Sequence, residues 1–256
     1  MSKADELRLL REAIKSFPDA LAIRDAAGSV VACSDLYARL NGADAGREGA
    51  EYQSADGRWL RRTLSALAGG GTVELIADVT QLRSAEQAAR FLAYHDTLTG
   101  LPNRRLLDDR LRQALRLAQR RERMVAALLV HLDDFRQLND TLGHDAGDGV
   151  LREVAQRLGG CVRRADTLAR VGPDDFVLVV CDLKDARDCR VVAEKVLETL
   201  AAEFRVGTRR LRLAASIGIS LFPGDGGDGE ALLRNADAAM YRAKHVGRNQ
   251  IRFFAR

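Results

Sequence analysis

The sequence predicts an α+β protein in two parts. Short strand-like runs with Gly and Asp turns fill the region after residue 18, helix-period and strand-period segments alternate from about residue 104, and an apolar-striped helix lies between them. The chain has 256 residues, room for two domains of ordinary size, and 46% of them are hydrophobic, enough for packed cores.

Leu7, Leu10, Ile14 and Phe17 recur at steps of three and four, the stripe of an amphipathic helix able to pair with its twin. After Pro18-Asp19 come two strand-like runs, 20–24 and 29–33, separated by the turn residues Asp25-Ala26-Ala27-Gly28. Trp59 to Leu67 and Thr72 to Val79 read as two further strands, with Gly69-Gly70-Gly71 as their hairpin loop. Between Gln81 and Tyr94, Leu82, Ala85, Ala89 and Leu92 form a heptad seam flanked by Arg83, Glu86 and Arg90. That pattern suits either a parallel dimer or a lone amphipathic helix on its own domain. Beyond it we expect a helix near 104–121, a strand near 124–131, a helix near 145–160 and a hairpin across 168–181. A helix near 186–204, a strand near 211–219 and a helix near 229–245 complete an antiparallel-rich sheet flanked by helices.

Composition excludes several roles. The longest apolar run, Met124 to Val130, falls far short of the roughly 18 residues that a membrane-spanning helix needs. Met1 to Glu6 lacks the apolar stretch of a signal peptide, so the expected location is the cytoplasm. Cys33, Cys161, Cys181 and Cys189 show no paired spacing and read as reduced thiols. A net charge of +4 and a pI near 9.0 come with 30% charged residues of both signs and a single Trp, which argues against nucleic acid and for a small phosphate-bearing ligand.

The chemistry-bearing motifs lie in the second part. Arg170-Val171-Gly172-Pro173-Asp174-Asp175-Phe176 resembles the Arg-x-Gly-Gly-Asp/Glu-Glu-Phe hairpin of the diguanylate cyclase (GGDEF) family. Four further segments match that family in order: 95–104, 139–148, 216–220 and 239–249. The resemblance covers about the last two thirds of the chain and implies the palm-like fold shared with nucleotidyl cyclases and polymerases. It also implies cyclic di-GMP signalling, with GTP or cyclic di-GMP as the ligand.

In the family, two GTP molecules are joined by attack of a 3′-hydroxyl on an α-phosphate, with Mg²⁺ held by hard oxygen donors. The resemblance places these donors at position 131, at the backbone carbonyl of Leu132 and at Asp174, and the catalytic acid at Asp175. His131 stands where the family has Asp, Pro173 where it has the second hairpin Gly, and Asp175 where it commonly has Glu. Imidazole is a poor Mg²⁺ ligand, and proline fixes φ and removes an N–H donor. As a strand neighbour, Asp133 would lie about 6.6 Å away along the same face and replace the lost carboxylate poorly. Together these changes point to a degenerate domain without cyclase chemistry and with weakened Mg²⁺ binding.

Other family positions are kept. Asn139 and Asp148 match the guanine-contacting residues; Arg136, Lys244 and Arg248 match the cationic phosphate contacts. Asn139-Asp140 also suits a plain turn, and Lys244 and Arg248 a helix C-terminus. Arg163 and Asp166 match the family's Arg-x-x-Asp inhibitory site for cyclic di-GMP, and equally a solvated Arg beside a helix-ending Asp. The expected alternatives are thus a degenerate nucleotide-binding module, an active cyclase and a structural dimerisation module.

Residues 1–80 resemble a short PAS domain through 17–20, 25–31 and Asp78-Val79-Thr80, with 81–94 as a signalling linker and 95–256 as the GGDEF domain. The core is too short for a large cofactor pocket and the first 94 residues hold no His, so neither haem nor flavin is expected. A homodimer through the N-terminal and linker helices is expected. Residues 95–103 and 249–254 look most like tandem proteins in which a cyclic di-GMP phosphodiesterase (EAL) domain follows.

Overall fold

The computed structural model describes residues 2–40, 49–206 and 209–254, which divide into two compact units, Met1–Arg90 and Phe91–Arg256. The first unit opens with α1 (Lys3–Lys15), capped by a reciprocal pair in which Ser2 accepts from the Asp5 amide and Asp5 accepts from the Ser2 amide. No residue of α1 is fully buried, and Leu7 and Leu10 of its apolar stripe are exposed.

The chain continues through β1 (Ala20–Arg24), β2 (Val30–Cys33), α2 (Asp35–Arg39), β3 (Glu51–Gln53), β4 (Trp59–Ala66) and β5 (Thr72–Asp78). The strands form one antiparallel sheet in the order β2-β1-β5-β4-β3. Strands β1, β2, β4 and β5 fall where alternation and turn chemistry predict them. The short elements α2 and β3 had no comparable pattern in the sequence.

The core of this unit is small: Ala20, Ala22, Tyr37, Leu60 and Ile76. Glu74 lies beside it at 1% exposure and accepts from Arg24 Nε at 3.1 Å, Arg62 Nε at 2.7 Å and the Tyr37 hydroxyl at 2.8 Å. Burial alone would raise its pKa, but the hydrogen bonds from Tyr37 and Arg24 and the charge of Arg62 hold it below the usual value. α3 (Thr80–Tyr94) then carries the chain onward with no residue buried.

The second unit comprises α4 (Arg104–Arg121), β6 (Met124–Leu132), α5 (Phe135–Leu142), α6 (His144–Gly159), β7 (Thr167–Arg170) and β8 (Asp175–Leu183). It continues through α7 (Ala186–Ala201), β9 (Phe204–Val206), β10 (Arg209–Leu211), β11 (Ala215–Phe222), α8 (Gly229–His245) and β12 (Ile251–Phe253). The main sheet has the order β12-β11-β6-β8-β7; only β11 and β12 run parallel, and β9 and β10 form a separate ribbon. Helices and an antiparallel-rich sheet thus form the expected α+β arrangement.

Both faces of this sheet are covered, which explains the unbroken apolar run in β6. Ala126, Leu128, Val130 and Leu132 face α6 and α7 in one cluster, whereas Val125, Ala127 and Leu129 join Leu107, Leu111, Leu232 and Met240 of α4 and α8 in another.

The structure corrects several boundaries. The helix expected to reach 204 ends at Ala201, because Ala202 is extended and Phe204, fully buried under the Arg157 guanidinium at 3.7 Å, begins the ribbon. The strand expected over 211–219 is two elements, β10 and β11. Asn139-Asp140, open to a turn reading, lies inside α5, whose eight residues are too few for a decisive helical period.

Removing the Glu74 carboxylate leaves two arginines facing an apolar core. Glu74→Ala should lower the stability of this unit by about 2–3 kcal/mol, given that both arginines retain some access to water. The folded-state pKa of Glu74 is depressed, so its stabilisation is present above the ordinary value of 4.5 and is lost as pH falls below it. Fluorescence of Trp59, the single tryptophan, during urea unfolding at pH 7 and pH 3 measures both effects.

Candidate functional site

β6 and β8 pair so that His131 lies directly opposite Asp175. The Leu132 amide donates to the Asp174 carbonyl at 3.1 Å, so the neighbouring His131–Asp175 pair is of the non-hydrogen-bonded kind, whose side chains approach most closely. Nδ1 of His131 is 2.9 Å from Oδ1 of Asp175, and Nε2 is 3.8 Å from Oδ2 of Asp174. A carboxylate oxygen only accepts, so Nδ1–H donates to Asp175 and Nε2 is the nitrogen turned toward Asp174. All three side chains are partly buried, with exposures of 18%, 22% and 31% for His131, Asp174 and Asp175.

Each of the three residues can offer a ligand atom, and these atoms lie within 4.8 Å of one another. The set does not fit Mg²⁺ well, because that ion takes hard oxygen donors in near-ideal octahedral geometry and one of the three donors is an imidazole nitrogen. Asp133 is not the strand neighbour that the sequence suggested. β6 ends at Leu132, and Asp133, at 6% exposure, accepts from Ser216 Oγ at 2.8 Å and from the Asn249 amide at 3.1 Å. Both its oxygens are engaged in tying β11 and the turn after α8 to the end of β6.

Asn139 lies on α5 against Gly147 of α6, and Asp148 is the next residue of that helix. A β-carbon on Gly147 would lie 1.8 Å from Asn139 Oδ1, so a glycine is needed for the Asn139 amide to lie over α6. That Oδ1 is buried and has no hydrogen-bond partner among the described residues. Arg136 is exposed on α5, and Lys244 is half-buried in the last turn of α8. Arg248 is exposed and pairs with Asp134 at 3.3 Å.

Arg163 and Asp166 lie apart from the His131 cluster in sequence, between α6 and β7. Arg163 is exposed. The Asp166 carboxylate accepts from the backbone amides of Arg163 and Cys181, at 2.9 Å and 3.0 Å, which fixes its orientation. Asp166 and Arg164 line a groove of about 460 Å³ with Arg110, Arg121 and Arg123. Sequence reasoning missed these last three; Arg110 and Arg121 belong to α4, and no local motif marks them as facing the loop after α6. Burial pushes the Cys181 thiol, at the edge of this groove, up to about 11.

The hairpin is anchored from behind. Arg170 Nη1 donates to both Asp96 oxygens at 3.0 Å and 3.1 Å, and Nη2 donates to the Pro173 carbonyl at 2.7 Å. Thr99 donates to Asp96 through its amide and its hydroxyl. Burial raises the pKa of Asp96, yet the bonds from Thr99 and Arg170 outweigh it and hold the group below its ordinary value.

Residues 93–250 match the family described as "Diguanylate cyclase, GGDEF domain". The chain is 46% identical over 175 residues to the bifunctional diguanylate cyclase/cyclic di-GMP phosphodiesterase MucR of Pseudomonas aeruginosa, a match that covers 68% of this chain and 25% of MucR. It thus spans about a quarter of that relative's length. Among solved structures it is similar to the GGDEF domain of TpbB from P. aeruginosa, at 37% identity and a TM-score of 0.62 over 63% of this chain and 95% of that one. It is also similar to the coiled coil and GGDEF domain of DgcB from Caulobacter crescentus in complex with cyclic di-GMP, at 28% identity and a TM-score of 0.61 over 68% and 93% of the two chains.

Asp96→Asn should destabilise the second unit by about 2 kcal/mol at pH 7, since it removes a charge-assisted pair that is partly shielded from water. The depressed folded-state pKa means that the stabilisation is present above 3.8 and lost below it, so the gap from wild type should close as pH falls through that region. Urea unfolding followed by far-ultraviolet circular dichroism at a series of pH values measures it.

Proposed function

The chain belongs to the diguanylate cyclase GGDEF family, and we propose that it is a degenerate member that binds cyclic di-GMP, or GTP at the former active half-site, without cyclising GTP. The observation that carries this reading is the hydrogen bond between His131 Nδ1 and Asp175 Oδ1. It ties up the acid expected to serve the attacking hydroxyl, with a residue that has itself replaced a metal-binding carboxylate. Pro173 adds a second loss, an absent N–H in a hairpin whose close approach to phosphate otherwise uses backbone donors.

Ligand binding is supported at two places. The arginine-lined groove beside Asp166 suits an anionic ligand, and Arg163 next to it can add a charge-assisted phosphate contact. The buried Oδ1 of Asn139, without a hydrogen-bond partner among the described residues, is an acceptor awaiting a donor, as a guanine edge would supply.

The N-terminal unit we read as a PAS-like sensor, on its five-stranded antiparallel sheet and the Asp78-Val79-Thr80 ending. A homodimer is supported by the exposed apolar residues of α1 and α3: Leu7, Leu10, Leu82 and Leu92 are all at least 47% exposed. The output of such a module would be control of a cyclic di-GMP phosphodiesterase, the activity that MucR's name joins to a cyclase.

Incubation of the protein with GTP and Mg²⁺ should yield no cyclic di-GMP by chromatography, and turnover would overturn the degenerate reading. Calorimetric titration should show cyclic di-GMP binding that weakens about 30-fold in Arg163→Ala, the loss of about 2 kcal/mol expected for a charge-assisted contact. No heat from wild type would leave the structural dimerisation reading in its place. The double variant His131→Asp with Pro173→Gly should gain measurable cyclisation.

A further inference from the structure

The donors around His131 suit a different class of ion from the one their family position implies. We propose that His131 and Asp174 hold a borderline divalent transition ion of the zinc class in preference to Mg²⁺, with Asp175 orienting the imidazole. The inference takes from family membership only the place of the site, and it stands apart from the nucleotide reading.

Tautomer geometry is the first support. Asp175 Oδ1 takes the hydrogen of Nδ1 at 2.9 Å, which leaves the lone pair of the neutral imidazole on Nε2, and Nε2 is the nitrogen facing Asp174 at 3.8 Å. A carboxylate accepting from one ring nitrogen while the other binds metal is the outer-shell arrangement that fixes ring orientation and raises ligand basicity.

Spacing is the second. Zinc-class ions bind imidazole nitrogen and carboxylate oxygen at about 2.0–2.2 Å, so tetrahedral neighbours lie about 3.4 Å apart. The 3.8 Å between Nε2 and Asp174 Oδ2 closes to that value with a small rotation of either side chain. Water completes the remaining positions.

Rigidity is the third. His131 is held in a strand whose flanking residues, Val130 and Leu132, are fully buried, and Asp174 is held through its carbonyl by the Leu132 amide. Gly172 leaves room for the Asp175 carboxylate in this position, since a β-carbon there would lie 2.8 Å from Asp175 Oδ2. The donors therefore start near their bound positions, and the ordering entropy of forming the site is small. Imidazole nitrogen favours zinc-class ions over magnesium, which is the basis of the proposed selectivity.

The test is a titration of the nucleotide-free full chain with Co²⁺, read by visible d–d absorption, followed by competition with Zn²⁺ and with excess Mg²⁺. Zn²⁺ should displace Co²⁺ and Mg²⁺ should not. His131→Asn keeps an amide N–H for Asp175 but replaces the imidazole nitrogen with a weaker amide oxygen donor; it and Asp174→Asn should abolish the absorption with unchanged circular dichroism. Asp175→Asn should weaken Co²⁺ binding about ten-fold, the effect of losing an outer-shell partner. His131→Asp should bring Mg²⁺ into effective competition. Absorption that survives His131→Asn or Asp174→Asn, thiolate charge-transfer bands that place the ion on a cysteine, or displacement of Co²⁺ from wild type by Mg²⁺ would each overturn the assignment. Because no nucleotide is present, failure here leaves the cyclic di-GMP reading untouched, and the converse holds.

Discussion

The antiparallel pairing of β6 with β8 is the constraint on which the second unit depends. It sets His131 against Asp175 at one end and buries Leu128, Val130, Leu178 and Val180 in one cluster along its length. Because side chains alternate faces, a slip of one residue would move every one of these groups to the opposite side of the sheet. The one irregularity in the ladder lies between Met124 and Ala126, at the end remote from His131. Register is therefore held by continuous apolar burial on both faces, and the polar cluster inherits its geometry from that burial.

Around this frame, single carboxylates act as ties. Asp133 joins β6 to β11 and to the turn at Asn249, and Asp96 joins the start of the unit to the hairpin through Arg170. In the first unit Glu74 plays the same part among Arg24, Arg62 and Tyr37. Each is buried or half-buried and well supplied with donors, the condition under which a charged group can stay in a protein interior. The pairs specify position, whereas the apolar clusters supply most of the stability.

The sites differ in how the sequence encodes them. The His131–Asp174–Asp175 cluster is built from two short stretches on paired strands, and each stretch can be read locally. The groove beside Asp166 is assembled from α4, the loop after α6 and β8, elements separated by dozens of residues. Of its lining only Asp166 belongs to the local Arg-x-x-Asp pattern; Arg110 and Arg121 are two among many arginines on an exposed helix face.

The sequence by itself determined the order and kind of the long elements, because periods of 2 and 3.6 persist through α4, β6, α6, β8 and α8 and because Gly, Asp and Pro punctuate them. It also determined family membership, since that is a property of residues in order. The short elements α2, β3, α5 and β12 were invisible to that reading, because they span too few turns or alternations to establish a period; β1 and β2, also short, were marked by the turn residues between them. What only the tertiary structure decided is how side chains distant in the chain use their donors and acceptors. Asp133 turns inward to Ser216 and Asn249, Asp175 takes the Nδ1 hydrogen of His131, and Nε2 is left facing Asp174. Hydrogen bonds are directional and short-ranged, so their partners exist only once packing has set the backbones within about 5 Å of one another.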